Sequence, residues 1–370
     1  MKLYIKKELF LKAISATEKN TGKNFTLPIL NNVLIKTVEN ILQLTSTDLE
    51  LATIAEVPAK IEEEGSIAMN PKTLSGFLVN SPEGEVLLKT KKDILLVEHR
   101  NYKTNIKGFL DKDFPLLPKT DKKKFFTIPS TIITSALSQV INSVSISDLK
   151  LELTGVFFKI TKNNIKLVST DSFRLSEKTL SRDKSENVNE ESFILPTKAA
   201  NEIIRNYQDL NDILFFYIDK NQVTIQNEEN KKVNLRIISK IIEGEYPEYS
   251  QIIPKEFTTK VIISKKEFAQ QIKSAGLFAS RINDITLRVE KDKLTIHSQN
   301  NDVGEFSSYI EAHVEGEEQE MRFNYNYLLS GLNNIEGDEV VFKINRSDGP
   351  TLVESVKNKD YFYILMPIRK

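Results

Sequence analysis

At 370 residues the chain exceeds the roughly 150 residues of one typical core, so two or three domains are expected. Its 51 Lys and Arg balance 51 Asp and Glu, which excludes bulk basicity as a basis for binding nucleic acid or membrane and leaves only local charge. A composition 40% hydrophobic and 28% charged is that of a globular protein, and the lack of Cys excludes disulfides, thiolate nucleophiles, zinc-thiolate sites and iron–sulfur clusters.

In chain order, the first residues break their apolar run with Lys6, Lys7 and Glu8, and no later stretch reaches about 18 uninterrupted apolar residues. A cytoplasmic, membrane-free protein is the expectation. Ile5 followed by Leu9-Phe10 and Ala13-Ile14 predicts a short strand entering an amphipathic helix. The pattern returns at Ile128, Ile132-Ile133 and Ala136-Leu137, and again at Ile263, Phe268 and Ile272. Next come hairpins around the polar turns TVEN, TKNN and EKDK, whose second strands end at Asp48, Asp171 and Asn300. A second helix then starts near Asn70, Pro196 and Asn324, with apolar residues four and eight positions on. Three features recurring in one order define a threefold repeat.

The repeat places domains at 1–124, 125–254 and 255–370, linked by the Lys-rich LPKTDKKK and by YPEYSQIIPKE. The acidic clusters Glu62-Glu63-Glu64 and EGEEQE (315–320) read as solvated loops.

An active site is not evident. His99, His297 and His313 have no partner at metal-binding spacing and read as ordinary strand residues. Gly22-Lys23 sits where a phosphate loop would end, but the earlier Gly falls on Thr17 and the following Ser/Thr on Asn24. Asp111 and Asp113 could be paired metal-binding carboxylates, yet DKDFP reads more simply as a turn. Asp48 and Asp171 recur by position and read as turn residues. No catalytic residue, metal or cofactor is expected.

Sheets backed by helices leave strand edges that invite further copies, and consistent rotation closes such an array into a ring. Three units per chain suggest a closed assembly of two or more chains. Residues 1–24 carry six Lys against two Glu, and residues 258–281 carry Lys260, Lys265, Lys266, Lys273 and Arg281 against Glu267. These helices could face a polyanion or simply water. The middle unit's first helix, 129–144, is uncharged and rich in Ser, Thr, Asn and Gln.

The segments TLPILNNVLI (26–35), TSTDLEL (45–51), DFP (113–115), STDSFRLSE (169–177), EGEYPEYSQIIP (243–254) and YILMPIR (363–369) occur in the order and spacing of the bacterial sliding clamp family, the β subunit of DNA polymerase III. The resemblance spans essentially the whole chain. It implies an α+β fold of three tandem DNA-clamp domains, each with antiparallel sheet outside and two helices inside, closing as a ring in a homodimer. Such a ring encircles duplex DNA without sequence preference, tethers the replicative polymerase and recruits partners, with a positive pore and an acidic outer surface. It is held by topology, with no chemistry of its own. Implied partners are DNA, a second copy, the polymerase III α subunit, the clamp loader, and repair polymerases, ligase or mismatch-repair proteins.

The resemblance also implies a peptide pocket between the second and third domains. Its positions here are Lys150, Leu153, Thr170, Ser172, Phe173, Arg174, Leu175, Pro247, Ile252, Pro350, Ile364, Met366, Pro367, Ile368 and Arg369. An apolar, Met-bearing chain end supports a peptide groove independently, although such a tail could instead be an edge strand. Phe173 replaces the His common in the family. For DNA the resemblance points to Lys23, Asn24 and Lys198, and helix geometry adds Lys12, Lys266 and Lys273; Asn24 stands where Arg is common. Leu277 and Phe278 belong either to the ring-closing interface or to a core. The alternative from another class is a three-domain interaction scaffold that does not encircle DNA, and below it an uncharacterised hydrolase.

Overall fold

A computed structural model describes residues 1–21, 26–122, 125–182, 190–228 and 232–369. The first repeat runs β1 (Lys2–Lys6), α1 (Lys7–Glu18), β2 (Val33–Val38), β3 (Ile41–Thr47), β4 (Leu51–Pro58), β5 (Lys60–Glu63), β6 (Ser66–Met69), α2 (Pro71–Val79), β7 (Glu85–Lys91), β8 (Ile94–His99) and β9 (Tyr102–Lys107). The second runs β10 (Phe125–Pro129), α3 (Ser130–Val140), β11 (Gly155–Ile160), β12 (Asn164–Thr170), β13 (Arg174–Ser181), β14 (Glu191–Pro196), α4 (Thr197–Tyr207), β15 (Ile213–Ile218), β16 (Gln222–Asn227) and β17 (Asn234–Lys240). The third runs β18 (Thr259–Ser264), α5 (Lys265–Gly276), β19 (Asp284–Val289), β20 (Lys293–Asn300), β21 (Gly304–Glu311), β22 (His313–Gly316), β23 (Gln319–Asn324), α6 (Tyr325–Asn334), β24 (Glu339–Ile344), β25 (Thr351–Ser355) and β26 (Tyr361–Leu365).

The threefold order is therefore real, and local chemistry explains its punctuation. Asn70 and Asn324 each accept two backbone amides at the start of α2 and α6, and Ser264 caps α5 by accepting from Glu267 N. Each cap contributes about 1 kcal/mol. Asp48 Oδ1 accepts from Glu50 and Leu51 amides, Asp171 Oδ1 from Phe173 and Arg174 amides, and Asn300 Oδ1 from Asp302 N. The Asx residues thus close the turns after β3, β12 and β20.

Two compact units divide the chain, and the cut passes through the second repeat. One unit, residues 1–134 and 198–241, holds a five-stranded sheet ordered β5-β1-β7-β8-β9 and an eight-stranded sheet ordered β10-β15-β16-β17-β4-β3-β2-β6. The other, residues 135–182, 190–197 and 242–369, holds a nine-stranded sheet ordered β14-β11-β12-β13-β26-β25-β24-β18-β22 and a four-stranded sheet ordered β21-β20-β19-β23. Half of the central repeat extends the first repeat's sheet through the β4–β17 pair, and the other half extends the third's through β13–β26. Edge-to-edge pairing, expected between copies, is thus already used within the chain at each junction.

Helices bury their apolar stripes against these sheets. α1 buries Phe10, Ala13 and Ile14 and packs on β4, β3 and α2. α5 buries Phe268, Ile272 and Ala275, and the Phe268 ring meets Phe342 edge-on at 5.2 Å. α3 departs from the expected stripe: Ile133, Ala136 and Leu137 are buried, but Ile132 is 46% exposed, because at about 100° per residue it falls outside the arc that positions 133, 136 and 137 turn to the core. The acidic clusters also differ from expectation. Glu62 and Glu63 lie in β5 and Glu315, Gly316, Gln319 and Glu320 in β22 and β23, which are edge strands, where charge discourages unwanted pairing.

Candidate functional site

The second junction gathers much of the expected pocket. In the β13–β26 pair Arg174 stands opposite Leu365 and Leu175 opposite Ile364. Alternation along these strands turns Leu175 and Ile364, with Val168 of β12, to one face. The segment after β17 crosses that face, and Phe157, Tyr246, Tyr249, Ile253 and Phe362 pack against the three buried aliphatics. Phe157 and Tyr246 stack at 4.6 Å, and Tyr249 meets Tyr246 edge-on at 6.5 Å. Burial raises both tyrosine hydroxyls well above their ordinary pKa, and for Tyr249 the Glu177 carboxylate adds to it, so these rings remain neutral.

The loop from Thr170 to Arg174 forms one rim. Thr170 Oγ1 donates to Arg174 O at 2.6 Å and accepts Ser172 N, which holds Ser172 at φ +77°. Phe173 at the tip is 61% exposed. Arg174 Nε donates to Asp171 Oδ2 at 2.8 Å, and its guanidinium lies 4.4 Å over the Tyr327 ring. Burial alone would lower the Arg174 pKa, but Tyr363 and Asp171 hold it above its ordinary value, so the charge is permanent and fixed. Burial likewise pushes the Tyr361 hydroxyl in β26 up to about 12.

The chain end is not an edge strand. β26 pairs with both β13 and β25 and stops at Leu365; beyond it, Met366 N donates to Phe173 O at 2.9 Å and Ile368 N to Arg322 O at 2.7 Å. Pro367, Ile368 and Arg369 line a cleft of about 620 Å³ with Glu318, Glu320, Arg322 and Asp348, whose lining shares no residue with the apolar cluster. Pro350 immediately precedes Thr351, which stands opposite Leu365. Leu153 is buried in a single turn of 3-10 helix, and Lys150 before it is exposed. Pro247 and Ile252 are exposed, and it is Ile253 that packs inward. Sequence reading missed Phe157, Val168, Tyr246, Tyr249, Tyr327 and Phe362. The aromatic pair in EYPEY was a signal for two of them; the others depend on strand pairing.

The expected DNA-facing lysines are unevenly available. Lys266 and Lys273 on α5 are exposed and carry no ion pair among the described residues. Lys12 pairs with Glu8 at 2.9 Å, and Lys198 at the start of α4 pairs with Asp48. Burial alone would raise the Asp48 carboxyl, but the Lys198 ammonium and the Leu51 and Glu50 amides hold it below its ordinary value. Lys23 and Asn24 lie outside the described residues. The Lys count of the first 24 residues overstates the helix charge. Lys7 is buried, donating to Ser81 O and paired with Glu83, and Lys2 pairs with Glu62. Lys19, one of the six lysines of the first 24 residues, and Lys72, not singled out from sequence, flank a cleft of about 570 Å³ between the ends of α1 and α2.

Leu277 and Phe278 are not core residues. Leu277 is 73% exposed, and Phe278 stacks on Phe306 of β21 at 6.1 Å. Val303 and Tyr309 are exposed on the same strand or its turn. Both β9 and β21 are sheet edges; β9 and its turn carry Arg100, Lys103 and Lys107, and β21 carries Glu305 and Glu311. His99 is buried with its ring nitrogens 2.7 Å from the Glu85 and Pro82 carbonyl oxygens, as befits a structural strand end.

The chain matches three family models end to end: the DNA polymerase III beta subunit N-terminal domain over residues 1–118, the central domain over 127–248 and the C-terminal domain over 250–369. It is 27% identical to the beta sliding clamp of Proteus mirabilis, with all of both chains covered. The solved DNA polymerase sliding clamp of Bacillus subtilis superposes with a TM-score of 0.94 at 24% identity, covering 100% of this chain and 99% of that one. A Pseudomonas aeruginosa sliding clamp, solved bound to griselimycin, gives 0.93 at 22% with both chains fully covered. With three tandem clamp domains in its fold and a matching model on each, the chain belongs to the DNA polymerase III beta subunit family, the bacterial sliding clamps.

Proposed function

We propose that this chain is a DNA sliding clamp that works as a homodimeric ring around duplex DNA in the cytoplasm. The observation that carries the ring is the pair of open edges with opposite charge. β9 with Arg100, Lys103 and Lys107 complements β21 with Glu305 and Glu311, and Leu277 and Phe278 supply the apolar contact beside β21. Pairing β9 of one copy with β21 of another would remove both free edges and use the mode already present at each internal junction. Domains bounded near 1–124, 125–254 and 255–370 would then count six in the ring.

On this reading no bond is made or broken by the protein. Lys12, Lys23, Lys198, Lys266 and Lys273, with Asn24, contact phosphates, each weakly, so the ring has no register on the duplex and slides. Retention comes from enclosure. Lys198 would exchange Asp48 for phosphate, which keeps its individual contribution small. The apolar cluster around Leu175 and Ile364, with the exposed Phe173, Ile252 and Pro247 and the half-buried Met366, takes linear peptides from the polymerase III α subunit, the clamp loader and repair proteins. The clamp solved with griselimycin supports a ligand-accepting groove in the family.

The ring is tested by sedimentation and by clamp-loader-dependent retention on circular duplex DNA. A dimer retained on the circle and released when the circle is cut is expected; a monomer, or retention indifferent to cutting, overturns it. For the peptide site, Pro367→Ala with Arg369→Ala should weaken a polymerase-derived peptide by about tenfold or more, and unchanged affinity would remove the tail from the site.

A further inference from the structure

At the first junction, where β17 lies between β16 and β4, a cleft of about 210 Å³ has Glu56, Gln226, Asn227 and Arg236 among its lining residues. Its size admits a few waters or one side chain, not a folded partner. Gln226 and Arg236 stand directly opposite each other across β16 and β17, so their side chains lie next to one another on one face of the sheet. Both are incompletely bonded. Gln226 is 5% exposed, and its Oε1 is buried without a hydrogen-bond partner among the described residues; Arg236 Nε is buried without one as well. An acceptor and a donor are thus left unanswered side by side, which is costly and calls for an occupant.

Other polar groups of the cleft are answered from within the chain. Asn227 Oδ1 accepts from Leu235 N at 2.8 Å while its Nδ2 donates to Asp212 Oδ2 at 3.0 Å, and Glu56 Oε1 accepts from Gln43 Nε2 at 2.8 Å. Charge narrows the occupant further. Arg236 and Glu56 are the charged residues of the lining and cancel, so an anion is repelled by one and a cation by the other. A nucleobase finds nothing to stack on, since no aromatic residue is in the lining.

We infer that this cleft binds a neutral primary carboxamide, the group carried by Asn and Gln side chains. The carboxamide oxygen accepts from Arg236 Nε and its N–H donates to Gln226 Oε1, one planar group supplying acceptor and donor side by side. A carboxylate lacks the donor, as does a tertiary amide. A main-chain peptide group is trans and sends its N–H and C=O in opposite directions, so it answers only one of the two. The occupant is therefore a side chain of a partner and not its backbone. Waters held in the cleft are displaced without loss, because the carboxamide reproduces their hydrogen bonds.

The test uses the full chain with methyl labels on Ile, titrated with propionamide to about 100 mM, a range suited to so small a ligand. The methyl signals of Ile41 and Ile54, which also line the cleft, are expected to shift and saturate. Propionate and N,N-dimethylpropionamide should bind about tenfold more weakly or not at all. Gln226→Leu keeps the bulk and removes the acceptor; it should weaken propionamide about tenfold and hold or raise the thermal midpoint of the free protein, since it removes an unpaired buried oxygen. Arg236→Met, at a half-buried position, should weaken binding by a similar factor. The inference is overturned by signals that stay fixed or drift without saturating, by propionate or the dimethyl amide binding as tightly as propionamide, or by either substitution leaving the affinity unchanged. A midpoint lowered by Gln226→Leu would overturn it too, by showing that the Gln226 amide is bonded within the protein.

Discussion

At the first junction Leu51 stands opposite Ser239, and at the second Arg174 stands opposite Leu365; in each case the next amide, Lys240 or Met366, donates at 2.9 Å to the loop-tip carbonyl, Glu50 or Phe173. The loops match as well, with Leu49 at φ +79° and Ser172 at +77°, each held by the hydroxyl of the Thr two residues before it. Non-glycine residues in this region cost on the order of 1 kcal/mol, so the same strain has been kept at both places. The side chains on this shared frame diverge. Glu50 and Lys240 form an exposed ion pair where the second junction has Phe173 and Met366, and Arg236 occupies the register position of Phe362. One frame thus yields an aromatic-filled apolar cluster at one junction and, at the other, an aliphatic cluster beside a cleft lined by Lys36, Lys119 and Arg236.

The largest expected effect separates the two floors. Ile364→Ala removes a fully buried side chain from a cluster walled by aromatic rings and should cost about 3–4 kcal/mol, whereas Ile238→Ala, in a smaller cluster with Ala52, Ile54 and Leu117, should cost about 2 kcal/mol. Urea unfolding of the full chain, with hydrogen exchange to locate the loss, measures both. Equal costs would mean that the two clusters are packed equally tightly.

A smaller effect concerns the turns. Asp48 is held below its ordinary pKa, so its charged form stabilises the fold at pH values above the unfolded pKa of about 3.9, and that contribution is lost as pH falls through the lower folded value. Asp48→Asn should cost about 1 kcal/mol at neutral pH, and the gap to the parent should close as pH falls through the lowered folded value. A gap independent of pH would assign the loss to the turn rather than to Lys198. The smallest effect is expected for Glu50→Ala, which breaks a pair of exposed side chains and should change stability by less than about 0.5 kcal/mol in a salt-sensitive way. A larger loss would give the ion pair a structural importance equal to that of Phe173 and Met366.

The sequence alone determined the threefold order of elements, because helix stripes, Asx turns and caps are local: Ala13-Ile14, Asp171 and Asn324 do in the fold what their spacing implied. It also determined that the chain end is apolar. Three things needed the tertiary structure. Lys7 turned inward and Lys198 found Asp48, because a flexible cation pairs with whichever carbonyl or carboxylate the fold brings near. The acidic clusters became edge strands, since edges are defined by pairing between distant segments. The central repeat was shared out between two units, because sheet continuity through β4–β17 and β13–β26 buries backbone hydrogen bonds and apolar faces across sequence separations that no local pattern encodes.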